Sequence, residues 1–107
     1  MISTHILDTG RGEPAQNVTV GLYTQENESW KLIQQTKTND DGRITFDCPA
    51  KPGVYKLSFQ ISDYFENQKA DFFFVDAPVI FKIENVNRKY HVPILLNSFG
   101  YSTYRGS

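Results

Sequence analysis

The sequence predicts an all-β fold: a two-sheet sandwich of about eight short strands with one short helix. Three observations carry that expectation. The 107 residues include 8 Ile, 7 Val and 8 Thr against 4 Ala, with 15 aromatics. β-Branched and aromatic side chains fit a pleated, half-buried surface, whereas Ala favours helix. Segment after segment alternates apolar and polar residues with period two. Clusters of Gly, Pro, Asn and Asp then punctuate those segments at short intervals.

Taken in order, Ile2, Thr4 and Ile6 share one face of a first strand, and Ser3, His5 and Leu7 share the other. The Gly/Pro-rich stretch Thr9-Gly10-Arg11-Gly12-Glu13-Pro14 breaks it. Val18, Val20 and Leu22 alternate with Asn17, Thr19 and Gly21, and Trp30 to Thr38 reads as polar and extended. Asn39-Asp40-Asp41-Gly42 is a turn, because these residue types tolerate positive φ. Arg43 to Asp47 alternates again with Ile44 and Phe46 inward, and Ala50-Lys51-Pro52-Gly53 is the next turn.

Tyr55, Leu57, Phe59 and Ile61 form the inward face of another strand. Ser62 to Gln68 has no β-branched residue and predicts one or two helical turns, with Ser62 or Asp63 as the cap. Phe72 to Val75 lies between strands, and its consecutive rings divide between core and rim rather than forming a base-stacking platform. Val79, Phe81 and Ile83 give a strand closed by Asn85-Val86-Asn87. Tyr90, Val92, Ile94 and Leu96 give the next, Asn97 to Gly100 a hairpin connection, and Tyr101 to Arg105 the last. Pro93 removes one ladder donor and predicts an edge position or a bulge.

The chain has the length of one domain, 1–107, without repeat or linker. With 39% hydrophobic and 21% charged residues it has the means to bury a core and is not disordered. A formal net charge of −1 argues against a nucleic-acid binder. No apolar run approaches the roughly 20 residues that span a bilayer. Met1-Ile2-Ser3-Thr4-His5 is not a secretory n-region, so the cytoplasm is the default expectation, with no membrane partner. One cysteine, Cys48, excludes an intrachain disulfide and reads as an inert buried thiol.

Candidate chemistry rests on few side chains. The two histidines, His5 and His91, each oppose the aliphatic face of a strand, so both imidazoles point out of the sandwich if the aliphatics fill the core. Such a pair can share general-base and general-acid roles near neutral pH, or simply be solvated. Arg43, at a strand start after Asp41-Gly42, can present a planar fork to a carboxylate, a carbonyl or a flat heterocycle, or be an ordinary surface arginine. The tail Tyr101-Ser102-Thr103-Tyr104-Arg105-Gly106-Ser107 is strand-like rather than merely polar. Pairing with residues 90–97 would hold it and bring Ser107 near the sheet. No metal-ligand spacing exists, and Gly10-Arg11-Gly12 lacks the lysine and the strand-to-helix unit of a phosphate loop.

Ser3-Thr4-His5-Ile6-Leu7-Asp8-Thr9 with Gly12-Glu13-Pro14-Ala15, then Asp41-Gly42-Arg43, Tyr90 to Leu96 and the terminal Tyr101 to Ser107 together resemble the transthyretin-related family. The resemblance spans the chain. His5 and the Tyr104-Arg105-Gly106-Ser107 ending place it closer to the 5-hydroxyisourate hydrolase branch than to the hormone carriers.

The resemblance implies a transthyretin-like sandwich and a homotetramer with sites in the channel between dimers. The implied small-molecule substrate is 5-hydroxyisourate, whose six-membered ring is opened in urate breakdown without metal or organic cofactor. It implies catalytic roles for His5, Arg43, His91 and Ser107, and substrate contacts from His5, Arg43 and Tyr104. A non-enzymatic carrier of a flat aromatic ligand shares that fold, and a β-sandwich interaction module is the remaining alternative.

Overall fold

A computed structural model describes residues 1–47 and 51–107. Among them are nine strands and one helix: β1 (Ile2–Asp8), β2 (Glu13–Pro14), β3 (Thr19–Glu26), β4 (Ser29–Lys37), β5 (Arg43–Phe46), β6 (Gly53–Phe59), α1 (Ile61–Asn67), β7 (Ala77–Ile83), β8 (Tyr90–Asn97) and β9 (Gly100–Thr103). Cys48 and the first residue of the Ala50–Gly53 turn lie outside the described residues.

The strands form two sheets. One runs β2-β1-β8-β9, with β5 also on β1; the other runs β4-β3-β6-β7. β5 covers the first half of β1, from Ile2 to His5, and β2 covers Leu7 and Asp8. β1 and β8 are parallel along their whole length, while the other pairs are antiparallel.

Period two decides what each strand buries. Ile2, Thr4, Ile6 and Asp8 of β1 and Tyr90, Val92, Ile94 and Leu96 of β8 face inward. The apolar ones among them meet Val20, Leu22, Tyr55, Leu57 and Phe59 from the second sheet in one hydrophobic core. Each fully buried side chain of this size contributes about 1.5–3 kcal/mol. The outward residues Ser3, His5, Leu7, His91 and Leu95 are half-buried. The expected alternation thus gives the observed faces of both histidine-bearing strands.

Four local expectations change. Thr9 to Pro14 is not wholly loop, since β2 pairs back onto β1. Ile61 belongs to the helix rather than to β6, and it stays buried because α1 lays Ile61, Tyr64 and Phe65 on the core. The cap position is Gln60, with no side-chain capping bond, instead of Ser62 or Asp63. The aromatic run does divide between core and rim: Phe72 stacks on Phe65 at 6.2 Å, whereas Phe73 is 71% exposed.

The fourth concerns Pro93. It sits in a central strand, between β1 and β9, with no bulge. Its carbonyl points toward β9 and accepts from Thr103 Oγ1 at 2.7 Å, so its nitrogen points there too. The β8–β9 ladder ends at the neighbouring pair Ile94–Thr103. The tail then rejoins in the same register, with Gly106 opposite His91. Proline is accommodated at a two-residue gap, where no donor is required.

Candidate active site

The outer face of the β1-containing sheet gathers the residues singled out from the sequence. His5 of β1 is directly opposite Arg43 of β5. Ser3, two residues earlier on the same face, is opposite His91 of β8, and its Oγ is 2.8 Å from His91 Nδ1. Arg43, His91 and Ser107, with Ser3 and Lys89, line an open depression of about 250 Å³.

The turn before β5 sets Arg43 in place. Asn39 Oδ1 accepts from the backbone N–H groups of Asp41 at 3.0 Å and Arg43 at 2.9 Å. Asn39 N–H in turn donates to the Arg43 carbonyl at 3.1 Å. Gly42 has φ +71°, and a Cβ there would lie 2.6 Å from the Ile6 carbonyl oxygen. Its own carbonyl accepts from Ile6 N–H at 2.8 Å. Glycine is therefore required on two counts, backbone conformation and close approach to β1.

His91 is held by its main chain and its ring. Gly106 N–H donates to the His91 carbonyl at 2.8 Å. A Cβ on Gly106 would fall 2.6 Å from His91 Cδ2 and 3.2 Å from Pro93 Cδ. The tail thus lies flat against the imidazole. Tyr104 takes another direction: it is 59% exposed and lines a second groove, of about 150 Å³, with His91 and Arg105. The Arg105 guanidinium stacks 4.7 Å above the centre of the Tyr90 ring.

Both histidines favour the neutral form. His5 is pushed below its ordinary value of 6.5 chiefly by desolvation, then by the Arg43 and His91 charges, against a backbone hydrogen bond to Asp41 that acts in the opposite sense. His91 is lowered by desolvation and then by Arg43. Neutral imidazoles beside a permanent cation can accept protons, while the guanidinium is placed to attract negative charge. The described residues contain no group of three or more His, Cys, Asp or Glu able to hold a metal ion.

The structure therefore brings His5, Arg43, His91 and Ser107 to one face and sets Tyr104 on an adjoining groove. Ser3 and Gly106 had no individual role in the sequence reading. Ser3 shares strand parity with His5, but only the parallel β1–β8 pairing reveals His91 as its partner.

Comparison with known proteins bears on what this face does. A model of the HIUase/Transthyretin family matches residues 2–106. The 5-hydroxyisourate hydrolase of Salmonella typhimurium is 44% identical over 110 residues, covering 100% of this chain and 81% of that protein. The structure of Klebsiella pneumoniae 5-hydroxyisourate hydrolase superposes with a TM-score of 0.88 at 34% identity, covering 99% of this chain and 98% of that one. Sea bream transthyretin in complex with thyroxine superposes with a TM-score of 0.92 at 27% identity, covering 98% and 93%.

Proposed function

The chain belongs to the HIUase/Transthyretin family, and from that premise we propose that it is a 5-hydroxyisourate hydrolase. The observation that carries this reading is the convergence of two neutral-leaning histidines on one arginine across three adjacent strands. The hydrolases of Salmonella and Klebsiella support it through full-length similarity.

The chemistry follows from the groups present. Water attacks a ring carbonyl of 5-hydroxyisourate, forming a C–O bond, and the adjacent ring C–N bond breaks. One histidine takes the proton that water loses, and the departing ring nitrogen receives a proton from the histidine pair. The two histidines titrate as a coupled pair beside the permanently charged guanidinium. Arg43 holds the flat substrate and stabilises the oxyanion that develops during attack. Ser107 closes the depression by hydrogen bonding, and Tyr104 contacts substrate from the adjoining groove. The product is a carboxylated ureidoimidazoline. The protein's own side chains supply each proton transfer, so the scheme uses no cofactor.

The site lies on an open sheet face rather than in a deep cavity. Assembly as a homotetramer in the cytoplasm, with two such faces enclosing a channel, gives the substrate a walled site. Transthyretin with thyroxine shares the fold, so fold alone does not separate a carrier from an enzyme.

Turnover separates them. 5-Hydroxyisourate generated in situ from urate decays spontaneously, and its ultraviolet absorbance can be followed with and without the protein. Catalytic protein accelerates the decay of many equivalents. A carrier alters at most a stoichiometric amount, and decay at the spontaneous rate overturns the proposal.

A further inference from the structure

We propose that Ser3 is a positioning residue for His91: its hydroxyl holds Nδ1 and so presents Nε2 to water and substrate. This inference rests on the hydrolase reading above and adds to it a residue that contacts the imidazole rather than the substrate.

The geometry is specific. Ser3 and His91 are 88 residues apart in sequence yet face each other across the parallel β1–β8 ladder, with Oγ 2.8 Å from Nδ1. Ser3 is half-buried and sits on a rigid, fully paired strand, so its hydroxyl has little room to wander. On the other side of the ring, Gly106 leaves no space for even a methyl group. The imidazole is thus fixed by a hydrogen bond at Nδ1 and by backbone packed against Cδ2. The nitrogen left to meet a reacting group is Nε2, because the bond made by one ring nitrogen sets the role of the other.

The type of partner matters. A carboxylate at this position would raise the His91 pKa and accept from Nδ1–H only, favouring the imidazolium and a single tautomer. A hydroxyl can donate to an unprotonated Nδ1 or accept from a protonated one. Ser3 can therefore keep the ring oriented while His91 gains and loses its proton. A carbonyl, which only accepts, would lock one tautomer. Ser3 orients the histidine without committing it to acid or base.

The test compares wild type with Ser3→Ala and Ser3→Thr, using 5-hydroxyisourate turnover and the side-chain 15N resonances of His91. Ser3→Ala is expected to lower kcat by on the order of tenfold, with KM within about twofold, because orientation is lost while substrate contacts remain. It is also expected to shift the His91 Nδ1 resonance. Ser3→Thr, which restores a hydroxyl on a strand-compatible side chain, is expected to return both toward wild type.

An unmoved Nδ1 resonance in Ser3→Ala, a kcat within twofold of wild type, or a threonine variant as slow as the alanine one would each overturn the proposal. If wild-type protein does not turn over 5-hydroxyisourate, the hydrolase reading fails, and the resonances alone decide whether Ser3 holds the ring.

Discussion

Gly106 lies so close to His91 that a Cβ on it would stand 2.6 Å from the imidazole Cδ2. The tail and the ring are complementary only if residue 106 has no side chain. Gly106→Ala must move the tail or tilt the imidazole, and so displaces either Ser107 or the His91 ring from its place beside Arg43. The expected outcome is a loss of at least about tenfold in kcat/KM, since misplacement by about 1 Å can cost up to a hundredfold. The fold should be nearly unaffected, because the tail leaves the core strands intact. Steady-state kinetics beside a thermal melt check both halves.

Gly42→Ala acts on stability as well as on the site. Its φ of +71° disfavours a side chain, and a Cβ would stand 2.6 Å from the Ile6 carbonyl oxygen and 3.2 Å from Ala15 N. These are backbone atoms in the β1 region and cannot rotate away. We expect a loss of more than about 1 kcal/mol in denaturant unfolding, with reduced activity because the same turn carries Arg43 opposite His5. Unchanged midpoint and rate would contradict the role assigned to this turn.

The pH dependence follows from the histidine shifts. Both imidazoles are lowered from 6.5, mainly by desolvation and then by Arg43. The acid limb of kcat/KM should therefore fall below pH 6.5. Arg43→Ala removes the cation, so both histidines should titrate closer to 6.5 and the limb should move up in pH. The rate itself should drop about 10²–10³-fold through lost charge stabilisation. For stability the sign is opposite to that of a paired histidine. The unfolded chain binds these protons first, so stability falls as pH drops from 6.5 through the lowered values, and above 6.5 the two groups contribute nothing. NMR titration of the histidine ring protons, read beside the pH–rate profile, measures both shifts.

Tyr64→Phe tests a contact remote from the site. Asp8 is 2% exposed, and its carboxylate accepts from Tyr64 Oη at 2.7 Å and from Arg11 N–H at 3.1 Å. Burial and this bond to Asp8 push the Tyr64 phenol up to about 12. Removing the hydroxyl leaves a buried carboxylate short of a donor, which costs about 1.5–3 kcal/mol. Denaturant unfolding should report that loss, while activity per folded molecule should be retained.

What could be read beforehand, and what could not, divides along a physical line. Alternation along Ile2–Leu7 and Tyr90–Leu96 placed His5 and His91 outward, because side-chain direction is a local property of an extended chain. Partnership is not local. Nothing in the period-two pattern specifies that β1 and β8 run parallel, or that Ser3 rather than another residue meets His91. Pro93 misled for the same reason: a missing donor marks where a ladder bond cannot form, and here a gap in a central strand absorbs it. Ile61 shows the other limit. Its place in the alternation indicated a strand, but Ile61 reaches the core from a helix. The identity of the candidate site came from the combination of His5, Arg43, His91 and the tail, which resembles one family's pattern. No single residue among them was specific.

The most direct test of the central claim follows the ultraviolet decay of 5-hydroxyisourate made in situ from urate, with wild type and His91→Asn compared at equal concentration. The expected result is multiple-turnover acceleration by wild type and a fall on the order of 10²–10⁴-fold in the variant, as for loss of a general acid–base group. Wild-type decay no faster than the spontaneous rate, or a variant as active as wild type, would contradict the account.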